Sequence, residues 1–309
     1  MLYNTVVFLL TNKCYLECEH CSVECSPKND AVLDDDLINQ VISDLASNPK
    51  ITTIAISGGE AFMYPDKVYK IVKAVNQIGK LPAIYTNGFW CTNYEKTYKR
   101  LRELKQIGLK LLLTSIDTYH QKLIPIGNIK YLLDVCNKLD IPTKMHISTT
   151  YSTLAKNDEI ISSLGLSKLS VSITTSPVLP IGRALKHIKK EDFISTKEIS
   201  QLRCTYDGMC NIDWNGDVRW CCAMHHKNMI IGNVRNENIN SILNNVRNSR
   251  IFMCMITKGI PYLANIIKKN NIISLDEHYV DGCDFCNRVF ENEDVIEQLE
   301  KVLKKEVIK

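Results

Sequence analysis

The chain has 309 residues, 45% of them hydrophobic and 23% charged, with a formal net charge of +4. That length supports one large core with a smaller satellite; the small, dispersed charge lacks the basic stripe interleaved with aromatics that would point to nucleic acid. No cleavable signal and no run of about 18 apolar residues is present, so thirteen cysteines predict reduced thiols in a cytoplasmic protein that does not enter a membrane.

The first strand is expected at Thr5-Val6-Val7-Phe8-Leu9-Leu10, directly before Thr11-Asn12-Lys13-Cys14-Tyr15-Leu16-Glu17-Cys18-Glu19-His20-Cys21. The spacing C-x3-C-x2-C lets one short loop wrap three thiolates around a cubic iron-sulfur cluster. A complete site needs four, so one iron stays open. The competing reading is a structural zinc knuckle, although zinc sites usually come in C-x2-C halves. An open iron at the C-terminal end of a first strand in an α/β protein is where a substrate or cofactor would bind.

Residues 34–48 then read as an amphipathic helix with Ile38, Val41, Ile42 and Leu45 on one face and an acidic start. Strands follow at 51–57, 82–86, 109–117, 144–151 and 168–175, with helices at 66–78, 94–106 and 127–139. Six strands alternating with helices imply a parallel sheet. Six units fall short of a closed eight-strand barrel, so the pattern suits an open partial barrel with its site at the C-terminal strand ends; periodicity does not separate this from an open doubly wound sheet. Composition changes after Pro177-Val178-Leu179-Pro180, and cysteines return at Cys204, Cys210, Cys221, Cys222, Cys254, Cys283 and Cys286. The expected domains are 1–186 and 187–309, the second metal-bearing and ending in a charged helix at 295–307.

Ser57-Gly58-Gly59-Glu60 closes the second strand, where the glycines permit close backbone approach and the glutamate can meet an ammonium group; an ordinary strand-to-helix turn is the alternative. Ser115 and Asp117 end the fourth strand, where Asp117 could equally cap the next helix. Pro180-Ile181-Gly182-Arg183-Ala184 follows the sixth. Downstream, Asn215-Gly216-Asp217 reads as a hairpin turn that would bring Cys204 near Cys221, and Cys283-Asp284-Phe285-Cys286 supplies a C-x2-C pair. A zinc ribbon from these four cysteines is the competing reading.

The cysteine loop and the Gly58-Gly59-Glu60 turn together resemble the signature of the radical S-adenosylmethionine (SAM) enzymes. That resemblance selects the partial (β/α)6 TIM barrel, an α/β fold, with a smaller C-terminal auxiliary cluster domain. It implies that Cys14, Cys18 and Cys21 hold a [4Fe-4S] cluster whose open iron chelates SAM, and that a 5′-deoxyadenosyl radical then abstracts hydrogen from a substrate. By the same resemblance Gly58, Gly59 and Glu60 hold the methionine amino group, His20 contacts adenine, Ser115 and Asp117 touch ribose or substrate, and Gly182 and Arg183 line the adenine pocket. The stretch Cys204 to Cys222 resembles the SPASM and twitch domains, counted from Cys204. This implies an auxiliary [4Fe-4S] cluster on Cys204, Cys221, Cys283 and Cys286; the later C-x5-C-x3-C portion is missing, which favours a single one.

Counting ligands leaves Cys222 over. With Cys25-Ser26-Pro27 and Thr86-Asn87-Gly88-Phe89-Trp90, it makes the chain resemble the radical SAM peptidyl epimerases that mature epipeptides. The resemblance implies conversion of L- to D-residues in a ribosomally made precursor peptide, with Cys222 returning hydrogen and a flavodoxin or ferredoxin donating electrons. Because the first strand begins almost at Met1, peptide capture is expected at the barrel mouth, the second domain or another protein. Rival readings are oxidative cross-linking of a peptide, small-molecule dehydrogenation, and a non-catalytic iron-sulfur or zinc sensor.

Overall fold

The computed structural model describes residues 2–166, 169–221 and 227–306. Six strands, β1 (Thr5–Leu9), β2 (Thr53–Ser57), β3 (Leu81–Thr86), β4 (Leu111–Ser115), β5 (Thr143–Thr149) and β6 (Val171–Pro177), lie side by side in chain order. Each is parallel to the next. Between them run α1 (Asp35–Ala46), α2 (Pro65–Gln77), α3 (Tyr94–Gln106), α4 (Thr118–Gln121), α5 (Ile126–Lys138) and α6 (Leu154–Ser163). This is the expected α/β partial barrel.

Strand alternation explains its two surfaces. Val6, Phe8, Leu10, Ile54, Ile56, Ile84 and Leu112 pack in one cluster with the buried faces of α1 and α2. The intervening residues Val7, Leu9, Ala55, Ala83, Tyr85, Leu111 and Leu113 form a second, inner cluster. Continued upward, the inner rows reach Ser57, Tyr85 and Ser115, which line the main cavity. Helix α1 starts where the sequence indicates: Asp34 accepts a hydrogen bond from the Leu37 amide, and Asp35 and Asp36 sit in its positive first turn. The fourth strand is shorter than expected because Asp117 leaves it to cap α4. Helix α6 was not foreseen; Asn157 is its one buried residue, so it shows no apolar stripe.

The remaining elements are α7 (Arg183–His187), β7 (Lys197–Glu198), β8 (Met209–Ile212), β9 (Asp217–Arg219), β10 (Ile230–Asn233), α8 (Ile239–Asn245), α9 (Arg250–Lys258), α10 (Ile260–Lys269), β11 (His278–Tyr279), α11 (Gly282–Phe290) and α12 (Glu293–Glu306). The hairpin appears as expected: β8 and β9 are antiparallel, and Gly216 takes φ +86° in their turn. Strand β8 also pairs in parallel with β1, Thr5 opposite Met209 through Phe8 opposite Ile212. The sheet therefore runs β10-β9-β8-β1-β2-β3-β4-β5-β6. One buried cluster continues from Tyr3 to Leu303, across residue 186. Among the described residues, no helix is long and apolar enough to cross a membrane.

Candidate active site

A cavity of about 490 Å³ opens at the C-terminal ends of the barrel strands, lined by Cys14, Cys18, Cys21 and the 57–60 turn. The cysteine loop is fastened on two sides. On one, Asn12 donates its amide to Ala31 and Cys14 to Ser26, at 3.2 and 3.1 Å. On the other, the Gly59 amide donates to the Thr11 carbonyl at 2.7 Å and the Glu60 amide to Lys13 at 2.9 Å. A Cβ on Gly58 would lie 2.6 Å from the Thr11 oxygen, and one on Gly59 2.3 Å from that of Lys13. These two glycines let the second strand end pack directly on the loop.

Glu60 is buried and its carboxylate is already engaged. It accepts from the Phe62 amide at 3.0 Å, the Thr86 hydroxyl at 2.8 Å and the Asn87 amide at 2.7 Å. Burial pushes it up to about 7, against those hydrogen bonds. It lines the cavity, but its contacts tie the Gly-Gly-Glu turn to the loop after β3.

Gly182 and Arg183, expected at an adenine pocket, are placed against the cysteine loop. Gly182 takes φ +56°, and its Cβ would meet the Ser22 oxygen at 2.3 Å. Arg183 donates its amide to the Cys21 carbonyl at 3.0 Å, and its guanidinium reaches the Cys18 and Cys25 carbonyls, both at 2.8 Å. The cavity wall here is made by Leu179 and Ile181 instead. The physical reason is that a sharp cysteine loop leaves carbonyls turned outward, and a planar cation can bind two of them at once.

Asp117 is likewise absorbed. Fully buried, it accepts from the Tyr119 and His120 amides, from His120 Nδ1 at 2.9 Å and from the Ser148 amide at 3.2 Å. Burial opposes its ionisation, yet the charge and hydrogen bonds of His120 hold the carboxyl well below its usual range. In return, Asp117 raises His120 against burial. His120, not Asp117, reaches the cavity, together with Ser115, His146, Ser148 and Ser176. His20 lines it too, its ring 4.7 Å from Tyr119 and 4.9 Å from His120. Burial and the nearby His120 lower His20 to about 4, and its Nδ1 is buried without a hydrogen-bond partner.

Sequence reasoning missed His120, His146 and Asn87 as site residues. His120 was findable as the third residue after a capping aspartate at a strand end; Asn87 stood in a noted motif without a task.

The second cysteine group also converges. Cys204, Cys221, Cys283 and Cys286 line one small cavity with Tyr206, Trp220, Phe252 and Met255. Cys210 and Cys254 are buried in the main core. Helix α11 presents Cys283 and Cys286 one turn apart, its start capped by Asp281. Cys222 lies outside the described residues. The two cysteine sites stand at opposite ends of β1: the loop follows Leu9, whereas the Tyr206 hydroxyl donates to the Leu2 carbonyl and the Tyr3 hydroxyl to that of Trp220. The five residues of β1 span about 13 Å at ~3.3 Å per step.

Residues 8–145 match the Radical SAM superfamily model, and residues 204–287 match that of SPASM, an iron-sulfur cluster-binding domain. A Bacillus subtilis (strain 168) protein, YydG, whose name assigns it to peptide biosynthesis, is 24% identical over 306 residues, covering 96% of this chain and 95% of its own. A Pyrococcus furiosus protein, named as modifying the cofactor of tungsten-containing aldehyde ferredoxin oxidoreductase, is 28% identical over 123 residues, covering 39% of this chain and 33% of its own. The fold resembles BtrN solved with AdoMet and 2-DOIA, with a TM-score of 0.53 at 15% identity, covering 86% of this chain and 90% of that one. BtrN in an open conformation gives 0.50 at 16%, covering 96% and 97%.

The matched domains imply SAM with a [4Fe-4S] cluster, and auxiliary iron-sulfur. The residues fit both. Burial holds the Cys14 thiol up at about 12, a cost that a bound cation removes by taking the thiolate. Cys21 is instead drawn down to about 6, chiefly by a hydrogen bond from Cys25. The orphaned His20 Nδ1 leaves a bound group a partner at the cavity wall.

Proposed function

We infer, from a chain that carries a radical SAM domain followed by a SPASM domain, that it modifies a ribosomally made peptide by epimerising L- to D-residues. Its full-length likeness to a protein named for peptide biosynthesis supports the substrate class. The observation that carries epimerisation is that, among the described residues, Cys204, Cys221, Cys283 and Cys286 line one cavity; four thiolates suffice for one cluster, and on that count the neighbouring Cys222 is read as the hydrogen donor.

Bound SAM and its [4Fe-4S] cluster supply the 5′-deoxyadenosyl radical that removes a Cα hydrogen. In this reading Cys14, Cys18 and Cys21 hold that cluster, and Gly58 and Gly59 keep the loop seated. The polar strand ends Ser115, His146, Ser148 and Ser176 face the substrate. Cys222 gives a hydrogen atom from its thiol to the opposite face of the carbon. Each turnover takes two electrons, one for the cleavage of SAM and one, with a proton, to restore the thiol; a donor of the flavodoxin or ferredoxin class provides both, the second entering through the auxiliary site at Cys204, Cys221, Cys283 and Cys286, and water provides the proton.

The test is anaerobic turnover of a candidate precursor peptide with SAM in deuterated water. Gain of one deuterium at a residue that becomes D is expected, and Cys222→Ala should still cleave SAM while forming no D-residue. Loss of two hydrogens would establish oxidative cross-linking instead, and no 5′-deoxyadenosine at all would leave a sensor.

A further inference from the structure

We propose that Asn87 tunes the reduction potential of the cluster at Cys14, Cys18 and Cys21 by donating its side-chain amide to the Cys14 sulfur. The inference rests on reading Cys14 as a cluster ligand. Asn87 Nδ2 lies 3.6 Å from Cys14 Sγ, within hydrogen-bond reach of a sulfur acceptor, beside the Leu16 amide at 3.4 Å. Asn87 is buried, 7% exposed, and lines the main cavity.

Its orientation is fixed from both ends. Asn87 Oδ1 accepts from the Phe89 amide at 3.0 Å, which assigns the oxygen and turns the NH₂ toward the sulfur. Its backbone amide donates to Glu60 Oε2 at 2.7 Å. The Glu60 carboxylate thereby aligns the Asn87 turn with the cysteine loop, since the Glu60 amide donates to Lys13 in that loop. A donor on a ligating sulfur withdraws electron density and favours the reduced cluster, one of the ways a protein sets such potentials. Removing the donor should make the cluster harder to reduce. Asn87 is a positioning residue on this account, acting through Cys14 without touching the reacting atoms.

The test is an anaerobic redox titration of the full chain, with both clusters reconstituted, followed by electron paramagnetic resonance. The wave whose signal changes on adding SAM belongs to the site; the other is an internal control. Asn87→Ala and Asn87→Leu should shift the SAM-responsive wave to more negative potential and leave the control in place. Asn87→Leu fills about the same volume with neither a donor nor a charge, so it decides the matter even where Asn87→Ala fails to keep its iron. A SAM-responsive wave that is unmoved, or moved positive, at wild-type iron content overturns the role of Asn87 alone. Absence of any SAM-responsive wave in the wild type overturns the ligand reading and the proposal with it.

Discussion

Arg183 acts on the cysteine loop through backbone oxygens. Its fork binds the Cys18 and Cys25 carbonyls, a geometry that a lysine ammonium does not reproduce. Arg183→Lys should lower stability by about 1.5–3 kcal/mol, the range for hydrogen bonds to a charged group, and speed iron loss to a chelator; equal melting midpoints and equal loss rates would refute the clamp. The Asp117–His120 pair makes a pH prediction. Asp117 is depressed, so its contribution is present above its unfolded value near ~3.9 and lost as pH falls through the folded one. His120 is raised, so its contribution is present below ~6.5 and lost as pH rises through its folded value. The stability difference between wild type and His120→Gln should therefore be largest from about pH 4 to 6.5. A difference that keeps growing toward pH 9 in denaturant melts would contradict the pairing. The motifs around Gly58, Gly59, Gly182 and Arg183 were legible in the sequence; their partners were not, because a backbone carbonyl leaves no trace in residue identity.

At the scale of elements, the barrel was readable because its first four strands are short, largely apolar runs and the last two follow at the same helix-strand spacing. Helix α6 lacked the apolar stripe, and α8 to α11 pack in a region where strand and helix no longer alternate. The choice between Cys204 and Cys210 shows the same limit. Both precede the hairpin turn, but strand pairing places Cys210, in β8, opposite Val6 in the core, whereas Cys204 falls before β8 begins, on the auxiliary cavity. Cys204→Ala should reduce iron from about eight to about four per chain, while Cys210→Ala should keep it and cost about 1 kcal/mol of stability. Iron retained by Cys204→Ala and lost by Cys210→Ala would reverse the assignment.

For the whole molecule, the shared sheet matters most. Removing residues 187–309 would strip β8 from β1 and bare the edge of Thr5-Val6-Val7-Phe8-Leu9, a strand with no charge along it. Uncharged apolar edges pair with other chains, so a 1–186 fragment should aggregate; a monomeric, cluster-loading fragment would show that the barrel stands alone. The same pairing also sets a timetable. Strand β1 ends at Leu9 and β8 begins at Met209, so at synthesis rates of about 5–20 residues per second the first strand waits about 10–40 s for that neighbour. The loop at Cys14, Cys18 and Cys21 has its clamp once Arg183 has emerged, while the second site waits for Cys286. A nascent chain thus offers its two cysteine groups in order, the loop at the barrel mouth first and the group beside α11 afterwards.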